Sequence, residues 1–74
     1  MNEIKELFEK IERDDITPEM NGLLSGGIID SLDIMALVAE IEKRYKKPLD
    51  AEFLELENFE NFASIKAMID RAMK

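Results

Sequence analysis

The chain has 74 residues, which gives room for one small domain over residues 1–74. It contains no cysteine and no histidine, which excludes disulfides and cysteine nucleophiles and removes the commonest general base and zinc ligand. Seventeen acidic residues against ten basic ones give a net charge of −7, which argues against nucleic acid as a partner and favours basic protein surfaces.

No apolar run in the sequence approaches the roughly 20 residues that a membrane-spanning helix needs. The first residues, Met1-Asn2-Glu3-Ile4-Lys5, lack the pattern of a signal peptide. We therefore expect a cytoplasmic monomer that binds neither membranes nor nucleic acid.

The first predicted element is an amphipathic helix from about Asn2 to Arg13. Its apolar residues recur at the i, i+3, i+4 and i+7 spacing of one helix face: Ile4, Leu7, Phe8 and Ile11. Glu9 and Arg13 are four residues apart in the favourable orientation, so we expect an ion pair between them.

A long loop is predicted to follow, because the apolar pattern loses its period from Ile16 to Ile29 and three glycines interrupt it. Asp14, Asp15 and Glu19 raise the question of a calcium loop in this region. The alternating oxygen ligands and the closing glutamate of an EF-hand are missing, so no metal site is predicted.

The second predicted helix runs from about Ser31 to Lys46 and follows the stretch Gly26-Gly27-Ile28-Ile29-Asp30. Asp30 or Ser31 is expected to cap it, because side-chain oxygens at this position accept hydrogen bonds from the amides of the first turn. One face of the helix carries the apolar residues expected in the core: Ile34, Leu37, Val38, Ile41 and Tyr45.

Almost opposite that core face, the second helix carries a smooth, half-apolar stripe of side chains: Leu32, Ala36, Ala39 and Lys43. Such a stripe beside Ser31 suits docking against a partner. The alternative is that small residues are present only because they are good helix formers.

The acidic stretch from Leu49 to Glu60 is predicted to form one or two short helical turns across the bundle. Its buried residues are expected to be Phe53, Leu54, Leu56 and Phe59. The last helix is predicted from about Phe62 to Met73. The predicted fold is therefore all-α: a small four-helix bundle of three longer helices and one short cross-helix, with a long loop between the first and second helices.

Asp30-Ser31-Leu32, placed after a loose loop and before a helix, resembles the attachment site of the acyl, peptidyl and D-alanyl carrier proteins. The resemblance covers essentially the whole chain. It implies that the Ser31 hydroxyl carries 4′-phosphopantetheine from coenzyme A, within a motif formed by Asp30, Ser31, Leu32 and Asp33. The thiol of that arm would hold an acyl or aminoacyl cargo as a thioester, and the chain itself would not be an enzyme.

The same resemblance implies the partners of the chain: a phosphopantetheinyl transferase, an acyl-loading or adenylating enzyme, and downstream synthases of fatty-acid or polyketide biosynthesis. Asp30 and Asp33 would repel a phosphate on Ser31, so we expect them to serve only in binding the basic transferase. The residues expected to meet partners are Leu32, Ala36, Ala39, Glu42 and Lys43.

Two departures set the chain apart from the carriers of fatty-acid synthesis: the composition of the docking stripe, and a longer segment between the second and last helices. Those carriers usually hold several acids along the docking stripe, whereas this chain keeps Asp33 and Glu42 but has Ala36, Ala39 and Lys43 where that negative band would run. The stretch Glu60-Asn61-Phe62-Ala63-Ser64 is similar to one found before the last helix of discrete carriers. The resemblance therefore favours a stand-alone carrier of a specialised pathway.

Two other classes of function stay open. An acidic helical interaction module without a prosthetic group would use the Ser31 stretch only as a helix cap. A small hydrolase with Ser31 as nucleophile would need a base within hydrogen-bond reach, and only Lys43 or a carboxylate is available. The cargo of a carrier also stays open among fatty acyl, polyketide, hydroxy acid and aminoacyl groups.

Overall fold

The computed structural model describes residues 3–73. Within this range the chain forms three α-helices and no strand: α1 (Glu3–Lys10), α2 (Ser31–Tyr45) and α3 (Phe62–Met73). The predicted all-α class is confirmed. The four-helix description is not confirmed, because the stretch predicted as a cross-helix holds two 3₁₀ turns, Ala51–Phe53 and Leu56–Phe59, instead of a fourth α-helix.

One apolar core joins the three helices with the segment between α1 and α2. Phe8 of α1 and Phe62 of α3 stack with ring centroids 5.5 Å apart and an interplanar angle of 15°, a contact worth about 0.5–1.5 kcal/mol beyond its buried area. On α2, Leu37 and Ile41 are completely buried. The other predicted core residues of α2 pack partly buried against them: Ile34, Val38 and Tyr45.

Polar side chains also join α1 to α2 at the end of α2 that is distant from Ser31. Arg44 donates a hydrogen bond to Glu6 at 2.9 Å, and the Tyr45 hydroxyl donates one to the Glu3 carboxylate. Burial, and then the bond to Glu3, raises the pKa of Tyr45 to about 12. Apolar and polar contacts together thus hold α2 against α1.

The first helix ends earlier than predicted. Glu12 adopts a left-handed conformation with φ of 65°, its amide donates to the Glu9 carbonyl at 3.0 Å, and the Arg13 amide donates to the Phe8 carbonyl at 2.9 Å. This is the Schellman arrangement that closes a helix. Because Arg13 lies beyond the helix, the predicted ion pair with Glu9 is wrong, and the Arg13 side chain pairs with Asp15 and Asp33 instead.

The acidic segment before α3 is less buried than predicted. Phe59 is buried and Phe53 is partly buried, but Leu54 is 46 % exposed and Leu56 is 71 % exposed. The prediction that both leucines are buried is wrong. A 3₁₀ turn advances about 120° per residue, so two short turns bring fewer side chains to one face than a continuous α-helix does.

Candidate functional site

Ser31 is the first residue of α2, and its side chain is exposed. The residue before it caps the helix: the Asp30 carboxylate accepts from the Asp33 amide at 3.0 Å, and the Asp33 carboxylate accepts from the Asp30 amide at 3.3 Å. This reciprocal capping box satisfies first-turn donors without the Ser31 hydroxyl. Of the two predicted caps, Asp30 is therefore the correct one.

Arg13 is a contributor to this site that the sequence analysis missed. Its guanidinium donates to the Asp33 carboxylate at 2.5 Å and to the Ile28 carbonyl at 2.7 Å. It also donates to both carboxylate oxygens of Asp15, at 3.1 and 3.2 Å. The hydrogen bond to Asp15, and then the charge of Asp33, raises the pKa of Arg13. No spacing rule links Arg13 to Asp33, because they are brought together only by the chain reversal between α1 and α2.

The backbone before Ser31 is shaped by its glycines. A Cβ on Gly26 would lie 2.6 Å from the Gly22 carbonyl oxygen, which is too close for any other residue, and Gly27 has a φ of 77°. The turn then returns to the core, because Ile29 is buried and its amide donates to the Leu23 carbonyl at 2.9 Å. The geometry of this loop thus requires glycine at position 26 and favours it at position 27.

The stretch Glu60–Ser64 holds this loop against the start of α3. The Glu60 carboxylate accepts from the Leu24 amide at 3.0 Å and the Ser25 amide at 2.9 Å, and the bonds from Ser25 hold the pKa of Glu60 below its ordinary value. Asn61 caps α3, because its side-chain oxygen accepts from the amide and the hydroxyl of Ser64 at 2.7 and 2.9 Å. Each polar residue of the stretch therefore has a structural task.

The exposed side of α2 matches most of the predicted partner face. Leu32 is 74 % exposed, and the three small or basic members of the stripe are exposed as well: Ala36, Ala39 and Lys43. Met35, which the sequence analysis left out, is 69 % exposed on the same side. The i+3 spacing of Met35 from Leu32, which puts both on one side of the helix, is the sequence signal that identifies it. We call Leu32, Met35, Ala36, Ala39 and Lys43 the outer face of α2.

Glu42, the remaining predicted partner residue, has a different setting. It is half-buried, and its carboxylate accepts a hydrogen bond from the Leu49 amide at 2.7 Å. This contact fastens the segment after α2 to the helix. The carboxylate therefore has a structural role in the free protein.

A family model described as the phosphopantetheine attachment site matches residues 2–71. The match spans nearly the whole chain. The chain belongs to the phosphopantetheine-binding family. The curated proteins and the solved structures gave no significant match. The family carries covalently attached 4′-phosphopantetheine, so the predicted prosthetic group is confirmed and the chain has a carrier role; carrier domains of this family are generally non-catalytic.

The start of α2 fits the phosphopantetheine group chemically. A phosphodiester on Ser31 would lie at the first helical turn, where amide hydrogens and the helix dipole favour an anion. The nearby charge of Asp33 is partly offset by Arg13, which also pairs with Asp15. The Asp30 carboxylate accepts a hydrogen bond from the Asp33 amide. Because both acids have these local tasks, the prediction that they serve only in binding a transferase is too narrow.

The carrier offers little support for a serine hydrolase. Lys43 lies more than three turns further along α2, about 18 Å from Ser31 at 1.5 Å of rise per residue. The neighbouring carboxylates of Asp30 and Asp33 are engaged in the capping box. A general base must lie within hydrogen-bond reach of the proton that it removes. Lys43 is too far from the Ser31 hydroxyl to meet this requirement.

Two further sequence predictions concern metals and membranes. Within residues 3–73, no group of three or more acidic side chains is arranged to hold a metal ion. In the same part of the carrier, none of the helices has the length and apolar character required to cross a bilayer.

Proposed function

We propose that Ser31 is the attachment residue of this carrier, and that the arm holds an acyl or aminoacyl group as a thioester for delivery between enzymes of a biosynthetic pathway. The observation that carries the proposal is the exposed hydroxyl of Ser31 at the first turn of α2, directly after a cap that does not need it. The family match over residues 2–71 supports it.

The attachment step is a phosphoryl transfer to the Ser31 hydroxyl. The Ser31 oxygen bonds to the β-phosphorus of coenzyme A while the bond from that phosphorus to the bridging diphosphate oxygen breaks. Adenosine 3′,5′-bisphosphate leaves, and the hydroxyl proton passes to a base of the magnesium-dependent transferase. The chain's own contribution is to present an exposed oxygen beside first-turn amides that stabilise the phosphate anion.

The outer face of α2 is the surface proposed to meet the loading enzyme and the downstream synthases. It begins at Leu32, next to the attachment residue, and it is apolar except for Lys43. Long acids are absent from its centre at Ala36 and Ala39. This composition favours partners with a close, weakly ionic contact, as expected of a stand-alone carrier in a specialised pathway.

Intact-mass measurement tests the proposal directly. The unmodified protein is incubated with coenzyme A, magnesium and a broad-specificity phosphopantetheinyl transferase. Wild type, Ser25→Ala and Ser64→Ala should gain one arm, and Ser31→Ala should gain none. A modified Ser31→Ala protein would move the site elsewhere. An unmodified wild type would leave the acidic interaction module as the better description.

A further inference from the structure

Arg13 links the loop before Ser31 to the first turn of α2 after it. One guanidinium nitrogen donates to the Ile28 carbonyl, three residues before the serine, at 2.7 Å. The other terminal nitrogen donates to the Asp33 carboxylate, two residues after it, at 2.5 Å. Asp33 in turn accepts from the Asp30 amide. Ser31 therefore lies between two residues, Ile28 and Asp33, that both accept hydrogen bonds from the Arg13 guanidinium.

The Arg13 side chain is itself fixed from the other side. The Schellman arrangement at the end of α1 sets its backbone, since the Arg13 amide donates to the Phe8 carbonyl at 2.9 Å. The paired oxygens of Asp15 then orient the guanidinium. A guanidinium held by a carboxylate fork presents its remaining donors in one plane.

We propose that Arg13 is a positioning residue for the modification of Ser31. The inference rests on the proposed attachment at Ser31. Arg13 acts in two ways: it fixes the loop and the first turn of α2 relative to each other, and it offsets part of the Asp33 charge where the phosphate arrives. Misplacement of a reacting group by about 1 Å can cost up to about a hundredfold in rate, so loss of this clamp should slow the transfer.

The contribution of Arg13 to global stability should be small by comparison. The side chains of Arg13 and Asp33 are 24 % and 22 % exposed, and ion pairs in contact with solvent contribute about 0–1 kcal/mol. A positioning residue should change the rate of Ser31 modification while changing the global free energy of unfolding only slightly. A residue that only stabilises the fold would not show this combination.

The structure offers a matched control in Arg44. Arg44 of α2 pairs with Glu6 of α1 at 2.9 Å, with side chains 33 % and 32 % exposed. It lies nearly four turns along α2 from Ser31, about 20 Å away. Arg44→Ala therefore removes an ion pair of similar exposure between α2 and the N-terminal part of the chain, without touching the serine.

The experiment measures kcat/KM for the carrier as substrate of the transferase, by mass, in parallel with amide hydrogen exchange. Arg13→Ala should lower kcat/KM about tenfold and speed exchange in residues 28–33 but not in α3. Arg13→Lys should recover only part of the rate, because one ammonium does not reproduce the planar fork. Arg44→Ala should leave the rate and the exchange of residues 28–33 unchanged.

A double-mutant cycle with Asp33→Asn completes the test. Because Arg13 and Asp33 act through one contact, the double variant should lose less than the product of the two single losses. Three results would overturn the inference: a double-variant loss equal to the product of the two single losses, an unchanged Arg13→Ala rate, or faster exchange throughout the molecule. If Arg13→Ala does not fold, Arg13→Lys and the cycle built on it decide the question. Failure of the proposed function has a different signature, since wild type would then stay unmodified or Ser31→Ala would be modified.

Discussion

At the residue scale, the division of labour between Asp30 and Ser31 separates structure from function. Asp30 closes the capping box with Asp33, so the helix can begin without any contribution from the neighbouring hydroxyl. The serine is left at the surface, beside the first-turn amides. A group that must accept a phosphate is thereby kept out of the hydrogen bonds that maintain the fold.

This division predicts different effects of two alanine substitutions on stability. Asp30→Ala should lower the free energy of unfolding by about 1 kcal/mol, because the capping box is lost. Ser31→Ala should change it by only a few tenths of a kcal/mol, because alanine is a good helix residue and no cap is removed. Urea unfolding of the unmodified proteins measures both values. Equal losses for the two variants would contradict the assignment of the cap.

Glu60 should make the stability of the carrier depend on pH. The hydrogen bonds from Ser25 and Leu24 lower its pKa in the folded state, so the ionised carboxylate stabilises the fold above pH 4.5, its ordinary value. That contribution is lost as the pH falls through the lowered folded-state pKa. Glu60→Gln should therefore be less stable than wild type at neutral pH, and the difference should shrink in acid.

The control for this measurement is Glu57→Gln, which makes the same change in net charge at an exposed position of the same segment. It should lie close to wild type at neutral pH, since exposed substitutions change stability by about 0.5 kcal/mol or less. Thermal or urea unfolding from neutral to acidic pH gives the comparison. A Glu60→Gln deficit that stays constant down to the lowest pH would count against the carboxylate as its source.

At the element scale, the end of α1 decides where Arg13 lies. The left-handed Glu12 ends the helix before Arg13 and turns the chain, so the Arg13 backbone is set by the Schellman arrangement and not by α1. A non-glycine residue in this conformation costs roughly 1 kcal/mol. This strained residue, Glu12, is the one that sets the direction of the chain toward the start of α2.

Glu12→Gly should therefore stabilise the protein. Glycine adopts the left-handed conformation without strain, so we expect a gain of about 0.5–1 kcal/mol after its greater unfolded-state entropy is taken into account. Glu9→Gly, one turn earlier and inside α1, should instead cost about 1 kcal/mol. Denaturant midpoints of the two variants test the pair. A loss of stability in Glu12→Gly would argue against this helix ending.

The outer face of α2 predicts how the carrier treats different partners. A fatty-acid ketoacyl synthase presenting a basic patch should use it poorly, because Ala36 and Ala39 replace long acids. Ala36→Glu combined with Lys43→Glu should raise the rate of use, mainly by faster encounter at low salt. Stability should change by only about 0.5 kcal/mol, since both positions are exposed. Equal turnover of both proteins with acyl cargo would remove this argument for a specialised pathway.

At the scale of the whole molecule, charge is the dominant long-range feature. The small domain carries seventeen acidic and ten basic residues. Five of the acids lie in the segment before α3, which contains no basic residue. Ion pairs such as Arg13 with Asp33 and Lys66 with Asp70 offset only part of this repulsion.

Salt should therefore stabilise the protein. Screening weakens the repulsion among the many exposed acids more than it weakens the few close pairs, which lie well within a Debye length. The midpoint of thermal unfolding should rise from low to moderate ionic strength. Sodium chloride and potassium chloride should act alike if screening is the cause. A flat or falling midpoint would mean that the ion pairs outweigh the repulsion.

The sequence by itself determined the features that depend on local order along the chain. The apolar spacing indicated all three helices, and the start of α2 at Ser31 and the full range of α3 agree with prediction, because caps and periodicity act over only a few residues. The glycine-bearing loop and the serine motif were likewise visible in order along the chain.

Only the tertiary structure decided how distant residues meet. Arg13 and Asp33 are 20 positions apart, and Glu60 binds amides 35 and 36 positions away, so no local pattern reveals either contact. Leu54 and Leu56 were expected in the core. They are exposed, because two short 3₁₀ turns bring fewer side chains to the buried face than an α-helix would. The burial of a side chain depends on which other segments pack against it, and those segments can come from any part of the chain.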